Sequence, residues 1–146
     1  TYVFGALRAV ELGATVLGFG GSLPFLRDGV LAFKAKWNPS LVLPADAPCY
    51  RIAVRLDTEA GRRLLERSPL IAIDDHRQPV GIALVTATTA LERLGDLLIP
   101  GLRRLTVLLD GIDEDRIRAA LESHAAAERV RCVPLDGARW GPGILR

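Results

Sequence analysis

Residues 15–37 read TVLGFGGSLPFLRDGVLAFKAKW, and this stretch decides how the first part of the chain is interpreted. Its first five residues form an apolar run, which predicts a buried strand. Gly20 and Gly21 end the run and allow the backbone to turn, and Ser22 is suited to cap a following helix. Apolar side chains then recur at helical spacing: Leu26, Val30, Phe33 and Trp37. The stretch therefore predicts a strand, a glycine turn and a basic amphipathic helix.

The order of these residues resembles the C-terminal portion of the GNAT-like acyltransferases, including the branch related to Fem-type peptidyltransferases. The resemblance covers residues 1–56 and is carried by Gly-Gly-Ser, Pro-Phe-Leu, Asp-Gly-Val-Leu and Phe-Lys-x-Lys-Trp, in that order. It implies that residues 1–56 are the C-terminal part of an acyltransferase domain and that residues 57–146 are an additional α/β segment. The expected fold is α/β, with a mixed sheet and flanking helices.

The same resemblance implies that an acyl group is transferred from acetyl-CoA or another acyl-CoA to the amine of a small molecule or peptide. In this hypothesis Gly20 and Gly21 contact the cofactor. The acceptor side of the cleft is lined by Ser22, Arg27, Asp28, Lys34 and Lys36. The family's phosphate-binding turn would precede residue 1, so this chain lacks it. Phe33 also stands where a tyrosine could have exchanged a proton, which puts catalysis in doubt.

Each of these polar residues also has a structural explanation. Ser22 is suited to cap a helix, and Arg27 with Asp28 to form a surface ion pair. Lys34 and Lys36 are equally compatible with a solvated helix face.

Two further function classes stay open beside the acyltransferase. The chain is alternatively a non-catalytic α/β interaction module, whose sheet edge or hairpin docks a partner. A nucleotide-binding domain that uses the glycines of residues 18–21 is a third hypothesis, although their spacing does not match a dinucleotide site.

Composition excludes several classes of protein. The chain has 146 residues and a net charge of +2, which does not indicate a nucleic-acid surface. No apolar run reaches the ~18 residues of a membrane span, and no signal peptide opens the chain. Cys49 and Cys132 do not have metal-site spacing and are expected to be reduced and partly buried, as in a cytoplasmic protein. The absence of Met predicts missing N-terminal residues, and the preference for Arg over Lys suggests a bacterial, GC-rich source.

The remaining elements follow from periodicity. Helices are predicted at residues 2–13, 58–68, 88–98 and from 113, strands at 41–43, 50–56, 105–109 and 130–133, and a β-hairpin at 70–85. Asp74, Asp75 and His76 are a conceivable metal or general-base cluster, but a polar hairpin turn explains them better. His124 is expected at the edge of the core. No metal is expected, and a homodimer is possible.

Overall fold

The computed structural model describes residues 2–37, 39–44 and 53–135. Within those ranges the α-helices are α1 (Tyr2–Glu11), α2 (Gly29–Ala35), α3 (Glu59–Arg67) and α4 (Glu114–Leu121). The strands are β1 (Leu70–Ile73), β2 (Pro79–Thr86), β3 (Arg104–Asp110) and β4 (Val130–Pro134). Short 3₁₀ helices occur at Leu91–Arg93, Gly95–Leu97 and Ala127–Arg129.

The four strands form one mixed sheet in the order β1-β2-β3-β4. β1 is antiparallel to β2, whereas β2, β3 and β4 are parallel to one another. This arrangement confirms the predicted α/β class with a mixed sheet and flanking helices. It also confirms the hairpin, the helix at 58–68, the helix after residue 113 and the strands at 105–109 and 130–133.

Both faces of the sheet are covered, so the central strands are apolar along most of their length. On one face the two crossovers between parallel strands pack over β2 and β3, with Leu94, Leu97, Ile117 and Leu121 in the core. On the other face α3 and the segment before it cover Leu84 and Leu108, through Leu56 and Leu65. The crossovers lie on the same face, as expected for successive right-handed connections that advance in one direction.

Gly81 allows the N-terminal part of the chain to approach this sheet. A Cβ atom at Gly81 would lie 2.7 Å from Cδ1 of Leu105 and 3.0 Å from both Cδ2 of Leu102 and Cδ1 of Leu26. These distances are too short for carbon atoms in contact, so a side chain at position 81 would displace buried leucines. Leu26 is therefore part of the main core although it precedes the sheet by more than forty residues.

The hairpin turn is fixed by the buried carboxylate of Asp74. Its Oδ1 accepts hydrogen bonds from the backbone N–H groups of His76 and Gln78, both at 2.9 Å, and its Oδ2 pairs with Nη1 of Arg103 at 2.7 Å. Burial acts to raise the pKa of Asp74, but the two N–H donors and the guanidinium outweigh it and hold the pKa below its usual value. The expectation of a polar turn at this position is confirmed.

Several predictions in the first part of the chain are wrong. Residues 15–19 do not form a strand. The basic helix begins at Gly29 rather than after Ser22, because the carboxylate of Asp28 accepts the backbone N–H of Leu31 and caps the helix there. Residues 41–43 and the described part of the predicted 50–56 strand, residues 53–56, are also irregular.

The predicted helix at 88–98 is replaced by two 3₁₀ turns. Gly95 is the first residue of the second turn, and a Cβ atom there would lie 2.8 Å from Cδ2 of His124. This crossover therefore packs closely against the segment after α4. The segment from residue 136 onward, and residues 50–52 of the predicted strand, lie outside the described residues.

Replacement of Asp74 by Asn tests the turn. We expect the free energy of unfolding at pH 7 to fall by about 2 kcal/mol, because a charged acceptor of several hydrogen bonds is lost. The folded-state pKa is depressed, so the wild-type advantage is full above the ordinary carboxyl pKa of about 4 and fades as the pH falls through the folded pKa. Urea titrations of both proteins between pH 7 and pH 2 measure this difference, with the exposed Glu122→Gln as control. An unchanged difference across that range would contradict the assignment.

Candidate functional site

The most unusual surface of the molecule is a set of large apolar side chains near the N-terminus. We define the N-terminal apolar surface as Val3, Phe4, Leu7, Val10, Leu12 and Val16. Each of these side chains is between 55% and 84% exposed. Four of them lie on α1, Leu12 follows the helix directly, and Val16 lies four residues further along the chain. Exposed apolar residues occur singly on most soluble proteins, but a concentration of them marks an interaction surface.

This concentration is local. Among the described residues, the exposed large apolar side chains all lie between Val3 and Val42, with the single exception of Leu64 on α3. Apart from Leu64, the large apolar side chains of residues 53–135, which form the sheet and its covering helices, are buried or half-buried. The two parts of the chain therefore differ in how much large apolar surface they expose to solvent.

α1 itself is too short to be stable without packing. It has ten residues, and isolated helices shorter than about 12–15 residues are marginal in water. Only Ala6 and Ala9 are even half-buried among the helix residues whose side chains the structure describes. Neither the length of α1 nor burial against the other described residues therefore accounts for its stability.

The N-terminal part is attached to the sheet through a short extended segment beside β1. The N–H of Leu26 donates to the carbonyl of Pro69 at 2.8 Å, and the N–H of Ile71 donates to the carbonyl of Pro24 at the same distance. Phe25 forms an isolated antiparallel bridge with Leu70. The apolar surface lies on the N-terminal side of this attachment, so it is tethered to a folded body.

Four of the predicted site residues meet in one cluster around a buried lysine. Nζ of Lys34 donates to the carbonyl oxygens of Gly20 and Gly21, at 3.0 Å and 2.5 Å, and to Oγ of Ser22 at 3.0 Å. An ammonium group has three N–H donors, so these three oxygens use its donor capacity. Lys34 is only 6% exposed. The geometry therefore makes Lys34 a clamp that holds the glycine segment against α2.

An aromatic contact supports the same clamp. The rings of Phe19 and Trp37 lie 6.0 Å apart between centroids, in a tilted arrangement typical of aromatic pairs. The contact joins the residue before the glycines to the turn that follows α2. The expected solvated position of Lys34 is wrong, since the side chain is buried and hydrogen-bonded.

The other predicted site residues lie apart from this cluster. Nη1 of Arg27 donates to the backbone carbonyl of Glu66 at 3.1 Å, and Asp28 caps α2 as described above. Lys36 is exposed at the end of α2. The structure thus brings Gly20, Gly21, Ser22 and Lys34 together. The carboxylate of Asp28 instead caps its own helix, and the guanidinium of Arg27 contacts α3.

Sequence reasoning missed a polar cluster at the carboxyl ends of β2 and β3. Thr86 and Asp110 are paired in register at the ends of these parallel strands. The hydroxyl groups of Thr86 and Thr89 both donate to Oε1 of Glu66 at 2.9 Å, and Nη1 of Arg62 pairs with Oδ2 of Asp110 at 2.9 Å. The sequence signal was the position of Thr86 and Asp110 directly after two apolar runs. Their partners on α3, Glu66 and Arg62, could be identified only from the fold.

Two residues singled out in the sequence occupy partly buried positions. His124 is half-buried, and its Nδ1 accepts the N–H of Ala126 at 3.2 Å, which confirms a place at the edge of the core. Cys132 is a free, half-buried thiol beside a cavity of about 150 Å³. Burial, with a smaller contribution from the carboxylate of Glu114, raises the pKa of Cys132, so the thiol stays protonated at neutral pH.

In the described ranges, no three or more His, Cys, Asp or Glu side chains are grouped as metal ligands are. Over those residues, too, no helix has the length and apolar character needed to cross a bilayer. Comparison with protein-family models, curated proteins and solved structures yields no match to this chain.

Replacement of Lys34 by Met tests the clamp. The variant keeps an unbranched side chain but removes the three donors, so the glycine segment loses its attachment to α2. We expect hydrogen exchange at the backbone amides of residues 20–23 to be about tenfold faster, while that of β2 and β3 is unchanged. Lys36→Met, two residues away and exposed, is the matched control. Equal exchange in the two variants would contradict the clamp.

Proposed function

We propose that this chain is a protein-interaction module, in which a mixed α/β body carries an N-terminal segment that docks on another protein surface. The observation that carries the proposal is the N-terminal apolar surface, whose six members are each more than half exposed. Removal of such a surface from water is favourable by roughly 25 cal/mol for each Å² buried, so docking provides a driving force that the chain alone does not use.

The geometry of the body supports a scaffolding role. Its polar side chains make contacts that fix one element to another: Asp74 to Arg103 across the hairpin and β3, and Arg62 to Asp110 between α3 and β3. The sheet is covered on both faces, so the body is complete without the N-terminal apolar surface. A sheet that is covered on both faces, joined to an N-terminal segment whose apolar side chains are exposed, is the arrangement expected of a module that presents a docking segment. Following the sequence-based prediction, we place this module in the cytoplasm, where the thiol of Cys132 would stay reduced.

Acyl transfer from an acyl-CoA to an amine is the second candidate. One observation favours it: Gly20, Gly21, Ser22 and Lys34, which the resemblance implicates, lie together. The strand expected before these glycines is absent, and the lysine donors are used within the cluster. To hold a phosphate, Lys34 would have to exchange these three contacts for the ligand. The interaction module needs no such rearrangement, and we therefore prefer it.

Site-specific photo-crosslinking in cells tests the interaction module. A photoreactive phenylalanine analogue at Leu7 is expected to give discrete protein adducts, identified by mass spectrometry, because this side chain is buried in the docked state. The same analogue at Leu64, an exposed apolar position on α3, is the matched control. Adducts of equal yield and identity at both positions, or none at Leu7, would contradict the proposal.

Isothermal titration calorimetry with acetyl-CoA tests the second candidate. If acyl transfer is correct, the full chain releases or absorbs heat on binding, and Lys34→Ala weakens binding at least about tenfold, since a phosphate–ammonium contact is lost. Lys36→Ala is measured beside it. Absence of heat at millimolar acetyl-CoA, or binding that neither variant changes, would contradict an acyl-CoA site at this cluster.

A further inference from the structure

We propose that Glu66 anchors a binding site for an organic cation at the carboxyl ends of β2 and β3, and that the ligand carries a primary ammonium or a guanidinium group. The inference goes beyond the proposed function, because the site lies where α3 meets the sheet and not on the N-terminal apolar surface. Its side chains are Glu66, Thr86, Thr88 and Thr89, which we call the glutamate–threonine cluster. Failure of either proposal would leave the other standing.

The carboxylate of Glu66 is fixed in one orientation by two hydroxyl groups. Oγ1 of Thr86 and Oγ1 of Thr89 each donate to Oε1 of Glu66, at 2.9 Å. The two threonines are themselves fixed by the turn after β2, in which the N–H of Thr86 donates to Oγ1 of Thr89 at 2.9 Å. Among the described residues, no group donates a hydrogen bond to Oε2 of Glu66. The cluster therefore holds one carboxylate oxygen and leaves the other as an acceptor.

No positive charge within the described ranges pairs with this carboxylate. The other acidic side chain of α3, Glu59, pairs with Arg63, and Asp110 at the end of β3 pairs with Arg62 at 2.9 Å. Arg62 lies four residues before Glu66, a spacing at which opposite charges on a helix often pair, but its guanidinium is turned toward Asp110. Glu66 thus carries a charge that the described part of the chain leaves uncompensated.

The position of Glu66 makes this charge unfavourable for the folded chain alone. Glu66 is half-buried, and a buried charge without a partner costs free energy. It also lies in the last turn of α3, where the partial negative charge of the helix C-terminus disfavours a carboxylate. Arg27 contacts the same turn, but its Nη1 donates to the backbone carbonyl of Glu66 and not to the carboxylate. A cation bound at Oε2 would relieve both costs.

The acceptors available at this point define the ligand. Thr88 is exposed, and its Oγ1 lies 3.0 Å from Oγ1 of Thr86, so it adds a second oxygen to the cluster. A carboxylate and a hydroxyl oxygen together suit a cation with several N–H donors, because such a cation forms charge-assisted hydrogen bonds. Ligands of open α/β sheets bind outside the carboxyl ends of parallel strands, which is where the register of Thr86 with Asp110 puts the cluster.

Nuclear magnetic resonance titration of the full, isotope-labelled chain tests the site, with methylammonium chloride as the probe and sodium chloride added to keep the ionic strength constant. We expect the amide signals of Thr86, Thr88 and Thr89 to shift saturably, with a dissociation constant of about 10 mM for so small a ligand. Tetramethylammonium has the same charge but no N–H donor, so it should bind at least about tenfold more weakly. Equal shifts with both cations, or no saturable shift at about 200 mM methylammonium, overturn the site.

Glu66→Gln separates binding from structure. Its amide oxygen still accepts from the two threonine hydroxyls but the charge is lost, so we expect methylammonium binding to weaken at least about tenfold. The melting temperature without ligand should equal or exceed that of the wild type, because an uncompensated charge is removed. Glu59→Gln, in the first turn of the same helix, is the matched control and should bind as the wild type does. A Glu66→Gln chain that binds as tightly as the wild type, or that melts lower because the carboxylate is purely structural, overturns the proposal.

Two further probes identify the source of the cation. N-acetyl-lysine methylamide carries the ammonium group on a peptide side chain, and methylguanidinium replaces it with a guanidinium group. Binding of the peptide probe at least about tenfold tighter than methylammonium assigns the ligand to a lysine side chain of another protein, and equal binding assigns it to a small free amine. Thr88→Ala leaves both hydroxyl contacts of Glu66 in place and should weaken binding of each probe about threefold. Binding of none of these cations overturns the site.

Discussion

Burial of β2 and β3 on both faces is the constraint on which the rest of the body depends. Parallel strands need crossover connections, and the two crossovers of this sheet cover one face while α3 covers the other. The interiors of β2 and β3 are consequently apolar except for the buried Thr106, and the other polar side chains of these two strands lie at the strand ends. Thr86 and Asp110 occupy those ends in register, where they meet Glu66 and Arg62 of α3. The polar contacts of the body thus follow from the way in which its apolar surfaces are buried.

The N-terminal part of the chain buries far less of its apolar surface than the sheet does. It contributes Leu26 to the main core, over Gly81, and it borders β1 through the backbone contacts of Pro24 and Leu26. Beyond this attachment, toward the N-terminus, its large apolar side chains are exposed rather than buried. The same hydrophobic effect that stabilises the sheet acts on these residues, but residues 2–37, 39–44 and 53–135 do not cover them. Docking outside the described residues is the physical outcome that this difference favours.

Lys34 shows why a basic residue next to glycines and a serine is ambiguous. The combination suggests a phosphate site, because backbone amides and an ammonium group attract anions. In the structure the ammonium contacts carbonyl and hydroxyl oxygens of the same segment, at distances of 2.5 to 3.0 Å. These oxygens are acceptors, so they satisfy the lysine and hold the loop in place. The sequence indicated that Lys34 and the glycine segment lie close together. Whether the segment presents carbonyl oxygens or amide N–H groups to the lysine depends on its backbone conformation.

The sequence by itself determined the elements whose signals are local. The alternation and turn residues of 70–85, the apolar run of β3, and the threonine and aspartate that precede α3 and α4 led to correct predictions. It could not determine whether residues 15–19 form a strand, because an apolar run becomes a strand only when a neighbouring strand supplies hydrogen-bond partners. Nor could it determine that two 3₁₀ turns replace the helix predicted at 88–98, or that Lys34 is buried against the glycine segment, because such features depend on contacts between separate segments of the chain. The exposure of Val3, Phe4, Leu7 and Val10 was likewise decided only by the tertiary structure: helical spacing predicted the apolar face, and the absence of a covering element among the described residues made it a surface.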